Sequence, residues 1–221
     1  LLTRERILEA ALRLVDEGGV EALSMRRLAA ALGVDPMAIY HHLPGRAAVI
    51  AGLVERVFGE LRIPPGGAGD TGRPWQERVR AFARAYRALW RAHPHLALHA
   101  IAEPASATAG TLAAGEELYA ALAAAGLSPR LVVRGAGVIV DYIHGFALAE
   151  RAGALDAAAG QRELQAQLAA RPPGDLPTLR RILAALGGED GGTGEEASGA
   201  DFEFGLDVLL AGLASHGDAA D

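Results

Sequence analysis

Two helix starts on either side of one helix-stopping glycine fill residues 24–43, and that pairing leaves this stretch few ways to fold. Ser24 offers a side-chain oxygen to the free N–H groups of a helix start, with Leu23 and Leu28 at the two positions of a hydrophobic staple. Leu28, Ala29 and Leu32 follow at helical spacing, and Gly33 supplies the left-handed residue that ends the helix in a tight turn. The next helix repeats the device. Asp35 is its cap, Pro36 stands where a missing N–H costs nothing, and Val34 with Ile39 forms a second staple. Two stapled helices around one glycine predict a helix-turn-helix.

In such a unit the second helix enters the major groove by its N-terminal residues while the first crosses the phosphate backbone. That geometry assigns Ser24 and Arg26 to phosphates, with a guanine edge as the alternative for Arg26; Pro36 and Met37 to thymine methyls; and Tyr40, His41 and His42 to phosphates or base edges. Arg46, opening the following helix, adds a cation near the backbone. The competing reading is an ordinary helical hairpin whose polar residues face water.

Upstream, Leu2 and Ile7 bracket a Thr3 cap, and Ile7, Ala11, Leu14 and Val15 make one apolar stripe before Gly18-Gly19. With three helices before residue 44, the stretch from Thr3 to about Leu61 resembles the N-terminal domain of the TetR family of bacterial one-component repressors. The resemblance rests on Thr3 to Ala11, Gly19 to Leu23, Arg26-Arg27-Leu28-Ala29, Leu32-Gly33-Val34 and Ala38-Ile39-Tyr40-His41-His42-Leu43. It implies a dimeric all-α repressor in which the third helix reads a double-stranded DNA operator and the larger C-terminal half binds a small-molecule inducer. The family often opens its fourth helix with a lysine and an acid; here Pro44-Gly45-Arg46-Ala47-Ala48 keeps the cation and loses the acid.

Charge divides along the same line. The net charge is −6, yet up to Arg62 arginines and acids balance, so the acidity belongs to the remainder. An apolar share of 51% over 221 residues is enough for a substantial core. The chain has no cysteine, hence no disulfide and no thiolate metal site, and its lack of a signal peptide or an uninterrupted apolar run of spanning length predicts a cytoplasmic protein without a membrane partner.

The expected fold is all-α: a helix-turn-helix DNA-binding domain over 1–45, a connecting helix over 46–62, and a ligand-binding and dimerisation domain over 75–221 with a flexible loop at 187–201. Helices are predicted over about 46–61, 75–92, 94–102, 108–125, 129–152, 157–170 and 176–186, and from Phe202 onward. Arg80, Arg84, Arg87 and Arg91 form a row on the 75–92 helix; such stripes ordinarily face water beside acids, and an anionic ligand is the alternative. Gly135, Gly137 and Gly145 suit close helix approach, either at a dimer seam or within the chain.

By family analogy the long helix from Pro129 and the last helix pair with their copies in a four-helix seam, giving a homodimer with two reading helices about one DNA turn apart. The inducer pocket is placed among the fifth to eighth helices, with Tyr86, Trp90, His99, Tyr119, Tyr142, His144 and Phe146 as candidate ligand contacts that serve equally as core packing. His95, His99 and Glu103 at i, i+4 and i+8, and Asp141 with His144, have ligand-like spacing, but single histidines usually satisfy local partners, and neither a metal nor another cofactor is predicted. An enzyme using the same histidines and acids is the competing class. No glycine-rich phosphate loop, Gly-x-Ser-x-Gly elbow or His-Glu-x-x-His pair supports it, and none is expected. A third reading is a ligand-independent DNA-binding or architectural protein.

Overall fold

A computed structural model describes residues 1–61, 72–102, 109–152, 157–186 and 195–217, and the described residues contain helices and no strand. Helix α1 (Arg4–Gly18) is capped by Thr3, whose hydroxyl accepts from the Arg6 N–H, and Gly19 at φ 77° turns the chain out of it. A short 3₁₀ turn, Val20–Ala22, leads into α2 (Met25–Leu32); Ser24 caps it by accepting from the Arg27 N–H at 3.2 Å. Gly33 ends α2 in the left-handed region, φ 66° and ψ 35°. Helix α3 (Pro36–Tyr40) is short and starts with the Asp35 carboxylate accepting from the Met37 N–H at 2.8 Å. Both caps and the glycine stop do what their residue types dictate.

Helix α4 (Arg46–Gly59) buries Val49, Leu53 and Val57 as one stripe. After it come α5 (Trp75–Ala92), α6 (Pro94–Ala102), α7 (Ala109–Ala123), α8 (Pro129–Arg151), α9 (Ala157–Ala169), α10 (Pro177–Leu186) and α11 (Glu195–Gly217). The expected flexible loop over 187–201 needs correction: Glu195–Asp201 is already helical, and 187–194 lies outside the described residues. Continuous helix is compatible with this composition because its small residues pack, Ser198 being buried with its hydroxyl donating to Glu150 Oε1 at 2.7 Å.

By packing, the chain forms two compact units, Leu1–Val140 and Asp141–Ala219, divided inside α8. In the first unit α4 packs on α1 and on α7. Gly110 is what lets α7 come so close: a Cβ there would lie 2.9 Å from the Glu55 carbonyl oxygen and 3.1 Å from the Gly59 nitrogen. α4 and α7 are thereby joined by backbone contact, which is far stiffer than contact through long side chains. Gly52 faces α1, where a Cβ would stand 2.8 Å from a methyl of the Leu8 side chain.

In the second unit Phe202, Leu206 and Leu210 of α11 are buried, and Tyr142 of α8 stacks on Phe202 at 5.5 Å while donating its hydroxyl to the Phe202 carbonyl at 2.9 Å. A Cβ at Gly205 would collide with the Tyr142 ring, so glycine is required there. The turn between α9 and α10 is held by Arg180, which donates to the Asp175 and Leu168 carbonyls. By length and composition α8 could cross a membrane, although Arg134 and Asp141 interrupt its apolar run. Its buried residues, Val132, Ala136, Ile139, Ile143 and Ala147, recur at helical spacing on one face, as in a core helix.

Candidate nucleic-acid interface and ligand core

Two caps and a staple turn one face of the α2–α3 pair outward. Ile39 is wholly buried beneath α3, so Met37 and Tyr40 project at 63% and 43% exposure, with His41 and His42 also exposed just beyond. Arg26 is exposed on the first turn of α2; Ser24 and Pro36 are half-buried. These seven residues bring together a cation, imidazoles, a phenol and an apolar tip on a helix start. The Ser24 hydroxyl is already the α2 cap, so it holds the helix as well as facing outward.

Arg46 is placed differently from the expectation. Its guanidinium turns back into the fold, Nε donating to the Leu23 carbonyl and Nη2 to the Val20 carbonyl, both at 2.9 Å, with Glu21 at 3.6 Å. Two backbone acceptors at 3₁₀-turn spacing match the guanidinium fork, and this geometry outcompetes a solvated pose. Arg46 thus ties the start of α4 to the turn preceding α2.

A second tie, which residue patterns do not signal, joins α1 to the end of α5. His93 Nδ1 lies 3.0 Å from both Asp16 carboxylate oxygens, and the His95 ring of α6 sits 3.4 Å from where a Cβ on Gly19 would lie. The pair is three-quarters buried on average, with His93 and Asp16 side chains 22% and 31% exposed. Close by, α4 and α5 flank an open pocket of about 300 Å³ lined by Val57, Glu60, Leu61, Ala85, Ala88, Leu89, Ala92 and His93.

The candidate ligand contacts separate into two groups. Tyr86 and Trp90 belong to a buried ring cluster in the first unit: Tyr86 meets Phe58 at 5.9 Å, Phe82 at 5.5 Å and Trp90, edge on, at 6.4 Å. Burial pushes the Tyr86 hydroxyl up, so it stays a neutral phenol. Tyr142 and Phe146 belong to a cluster in the second unit closed by Phe202, a partner that ring spacing alone does not reveal. His144 is half-buried on α8; burial holds its imidazole below the usual histidine range, against the opposing charge of Asp141. His99 is half-buried on α6, whereas Tyr119 is 42% exposed on α7 and joins neither cluster.

The α5 arginine row divides too. Arg84 and Arg91 are exposed, Arg80 is intermediate, and Arg87 is buried rather than solvated because it falls on the inward side of the helix. Arg78, one turn before Phe82, is also buried, with Nε and Nη2 meeting no hydrogen-bond acceptor among the described residues. Glu103, the third member of the spaced His95/His99 set, lies outside the described residues; among those residues no three metal-ligating side chains are gathered.

Comparison with known proteins agrees with this anatomy. Residues 7–53 match the family profile described as bacterial regulatory proteins, tetR family, and residues 68–216 match the tetracyclin repressor-like C-terminal domain. An HTH-type transcriptional regulator of Saccharopolyspora erythraea is 33% identical over 97% of this chain and 86% of its own length. The apo crystal structure of ActR from Streptomyces coelicolor superposes with a TM-score of 0.78 at 27% identity, covering 100% of this chain and 98% of that one. A structure of ActR in complex with actinorhodin gives 0.76 at 27% identity over 98% and 99% of the two chains.

Proposed function

The chain belongs to the TetR family of bacterial transcriptional regulators, and from that premise we propose that it is a ligand-responsive repressor that holds a two-fold operator as a homodimer. The carrying observation is the exposed α2–α3 face: Arg26, Met37, Tyr40, His41 and His42 stand outward on or just beyond helices fixed by their own caps and by the buried Ile39. Arg26 and Ser24 meet phosphates; the Pro36-Met37 tip and Tyr40 sort base edges and thymine methyls. The compartment is the cytoplasm, where such an operator is found.

Dimerisation is supported by apolar residues left in the open on the two longest helices. Val133, Val138 and Leu148 on α8 and Phe204 and Val208 on α11 are 43–71% exposed. On α8, Gly137 and Gly145 have nothing within 4 Å of a Cβ position, leaving room for a second backbone. Apolar residues repeated along a helix in this way mark an association surface. The ligand core is the ring cluster around Tyr86 and Trp90; the separate cluster of Tyr142 and Phe146, with His144 beside it on α8, is the second candidate. ActR, crystallised with actinorhodin, is a protein of this fold occupied by a small molecule.

Regulation then follows from the mechanics of the first unit. A molecule pressing on Phe58 or Tyr86 displaces α4, and through Arg46 and the Asp16–His93 pair the displacement reaches α1 and α2. Two reading helices set about one DNA turn apart lose their spacing, and by linkage ligand and operator weaken each other equally. Anisotropy titration of the full chain on the DNA upstream of its own coding sequence tests this. Binding with a two-fold footprint is expected; equal affinity for a scrambled duplex, or a monomer in sedimentation at micromolar concentration, overturns it.

A further inference from the structure

We propose that His41 and His42 bind DNA phosphates in their protonated form, so that the reading head grips DNA more tightly as pH falls through the imidazole range. The inference rests on the DNA-binding reading above and adds the proton as a regulator of it. Between Ser24 and Gly45 the permanent charges are two cations, Arg26 and Arg27, against one anion, Asp35. Arg46, the next cation along the chain, is turned back onto the Leu23 and Val20 carbonyls. A head that meets a polyanion is thus short of fixed positive charge, while two imidazoles stand exposed where α3 ends. Among the described residues neither ring makes a hydrogen bond or an ion pair within the chain.

Imidazole is the side chain whose charge changes between about pH 5 and 8. A phosphate oxygen beside it favours the charged form, so a duplex laid on the α2–α3 face draws protons onto these rings. As pH falls, protons enter the complex in preference to the free protein, and affinity rises about tenfold per pH unit for each whole proton taken up. On the neighbouring elements, Arg4 and Glu5 open α1, Arg26 and Arg27 lie on the first turn of α2, Asp35 caps α3 and Arg46 opens α4. Glu5 is near enough to His42 to feel its charge: hydrogen bonding to its own backbone and to Thr3 holds the Glu5 carboxyl below the usual range, and the charges of Arg4 and His42 add to that. The Glu5 carboxylate favours charge on His42, Arg4 opposes it, and two adjacent charged rings repel each other. Phosphate is therefore what lets the second proton of each head enter.

The test is anisotropy titration of the full chain at about pH 6 and about pH 8, each between roughly 50 and 200 mM salt, on the DNA upstream of its own coding sequence and on a scrambled duplex. Wild type binds at least about tenfold more tightly at the lower pH, and its plot of log affinity against log salt steepens there by about 1.8 to 3.6, for one or two new phosphate partners on each head of a dimer. Calorimetry near neutral pH in PIPES and in imidazole, buffers of low and high ionisation heat, reads the proton uptake directly. In His41→Gln/His42→Gln, measured against its own binding at the higher pH, the affinity ratio shrinks to about twofold or less and the slope no longer changes with pH. His41→Arg/His42→Arg carries the charge permanently and keeps the steep slope at both pH values. Affinity and slope that ignore pH in wild type overturn the proposal. So does a pH ratio that survives in the glutamine variant, which assigns the proton to another histidine such as His93 beside Asp16. Phosphates are the same in any sequence, so the proton effect is expected on the scrambled duplex too. Equal affinity for both duplexes with the pH effect intact overturns the operator reading alone; preference for the chain's own DNA without the pH effect overturns this one alone.

Discussion

Replacing Arg46 by methionine separates two tasks that a cation at the start of α4 can perform. The guanidinium donates to the Leu23 and Val20 carbonyls at 2.9 Å each, and the side chain is 41% exposed. A hydrogen bond from a charged donor contributes about 1.5–3 kcal/mol when sheltered. Water replaces part of both bonds here, so the pair is worth about 2 kcal/mol, while methionine keeps the aliphatic packing. For a chain of this size that lowers the melting temperature by roughly 4–8 °C. Operator affinity also falls, since α2 and α3 are no longer tied to α4. The number of phosphates neutralised stays the same. In a plot of log affinity against log salt the slope is therefore unchanged, whereas removing one phosphate-binding cation from each half of a dimer makes it shallower by about 1.8. Anisotropy titrations between roughly 50 and 200 mM salt decide the matter, with Arg26→Ala, exposed on α2, as the variant expected to flatten the slope. An Arg46→Met protein with unaltered melting and a slope flattened like that of Arg26→Ala refutes the clamp.

Gly110→Ala sets a methyl 2.9 Å from the Glu55 carbonyl, forcing α7 off α4 at a cost of about 1–3 kcal/mol; chemical denaturation that matches wild type disproves the close approach. Asp35→Ala removes the α3 cap and costs about 1 kcal/mol, and because α3 has five residues the loss appears chiefly as weaker operator binding, measured by anisotropy. His144 has a depressed affinity for protons in the folded state, so unfolded chain binds more protons on acidification. Its contribution to stability is complete above the unfolded value near 6.5 and is lost as pH falls through the folded value. Melting temperature then drops less for His144→Gln than for wild type on acidification; an equal drop in both proteins contradicts the burial argument.

Local chemistry made the head legible. Thr3, Ser24, Gly33, Asp35 and Pro36 act on their own neighbours within one turn, and each does in three dimensions what its type and position require. The helix periods over α5 and α8 were equally readable, because an amphipathic stripe is written at fixed spacing. Long-range polar pairing left no such trace. Asp16 and His93 are 77 residues apart, and Arg46 finds acceptors 23 and 26 residues away on carbonyls, which every residue carries alike. Arg78 and Arg87 were concealed for a different reason: an arginine on a helix reads as solvated unless the width of the buried face is known, and α7 widens that face on α5. Helix at Glu195–Asp201 was hidden by glycine and serine, whose propensity for loops yields to tertiary packing.

The glycine contact between α7 and α4 also bears on how such a protein could be recombined. A hybrid joined just after α4 would keep the whole exposed α2–α3 face yet set α4 against a foreign α7. Any residue larger than glycine at position 110 would then hold the two backbones apart. The natural seam for exchanging specificities lies much later, near Val140 within α8, where the packing of the chain itself divides. A part exchanged along that seam is accordingly about 140 residues long and carries the α2–α3 face and the ring cluster of Phe58, Phe82 and Tyr86 together.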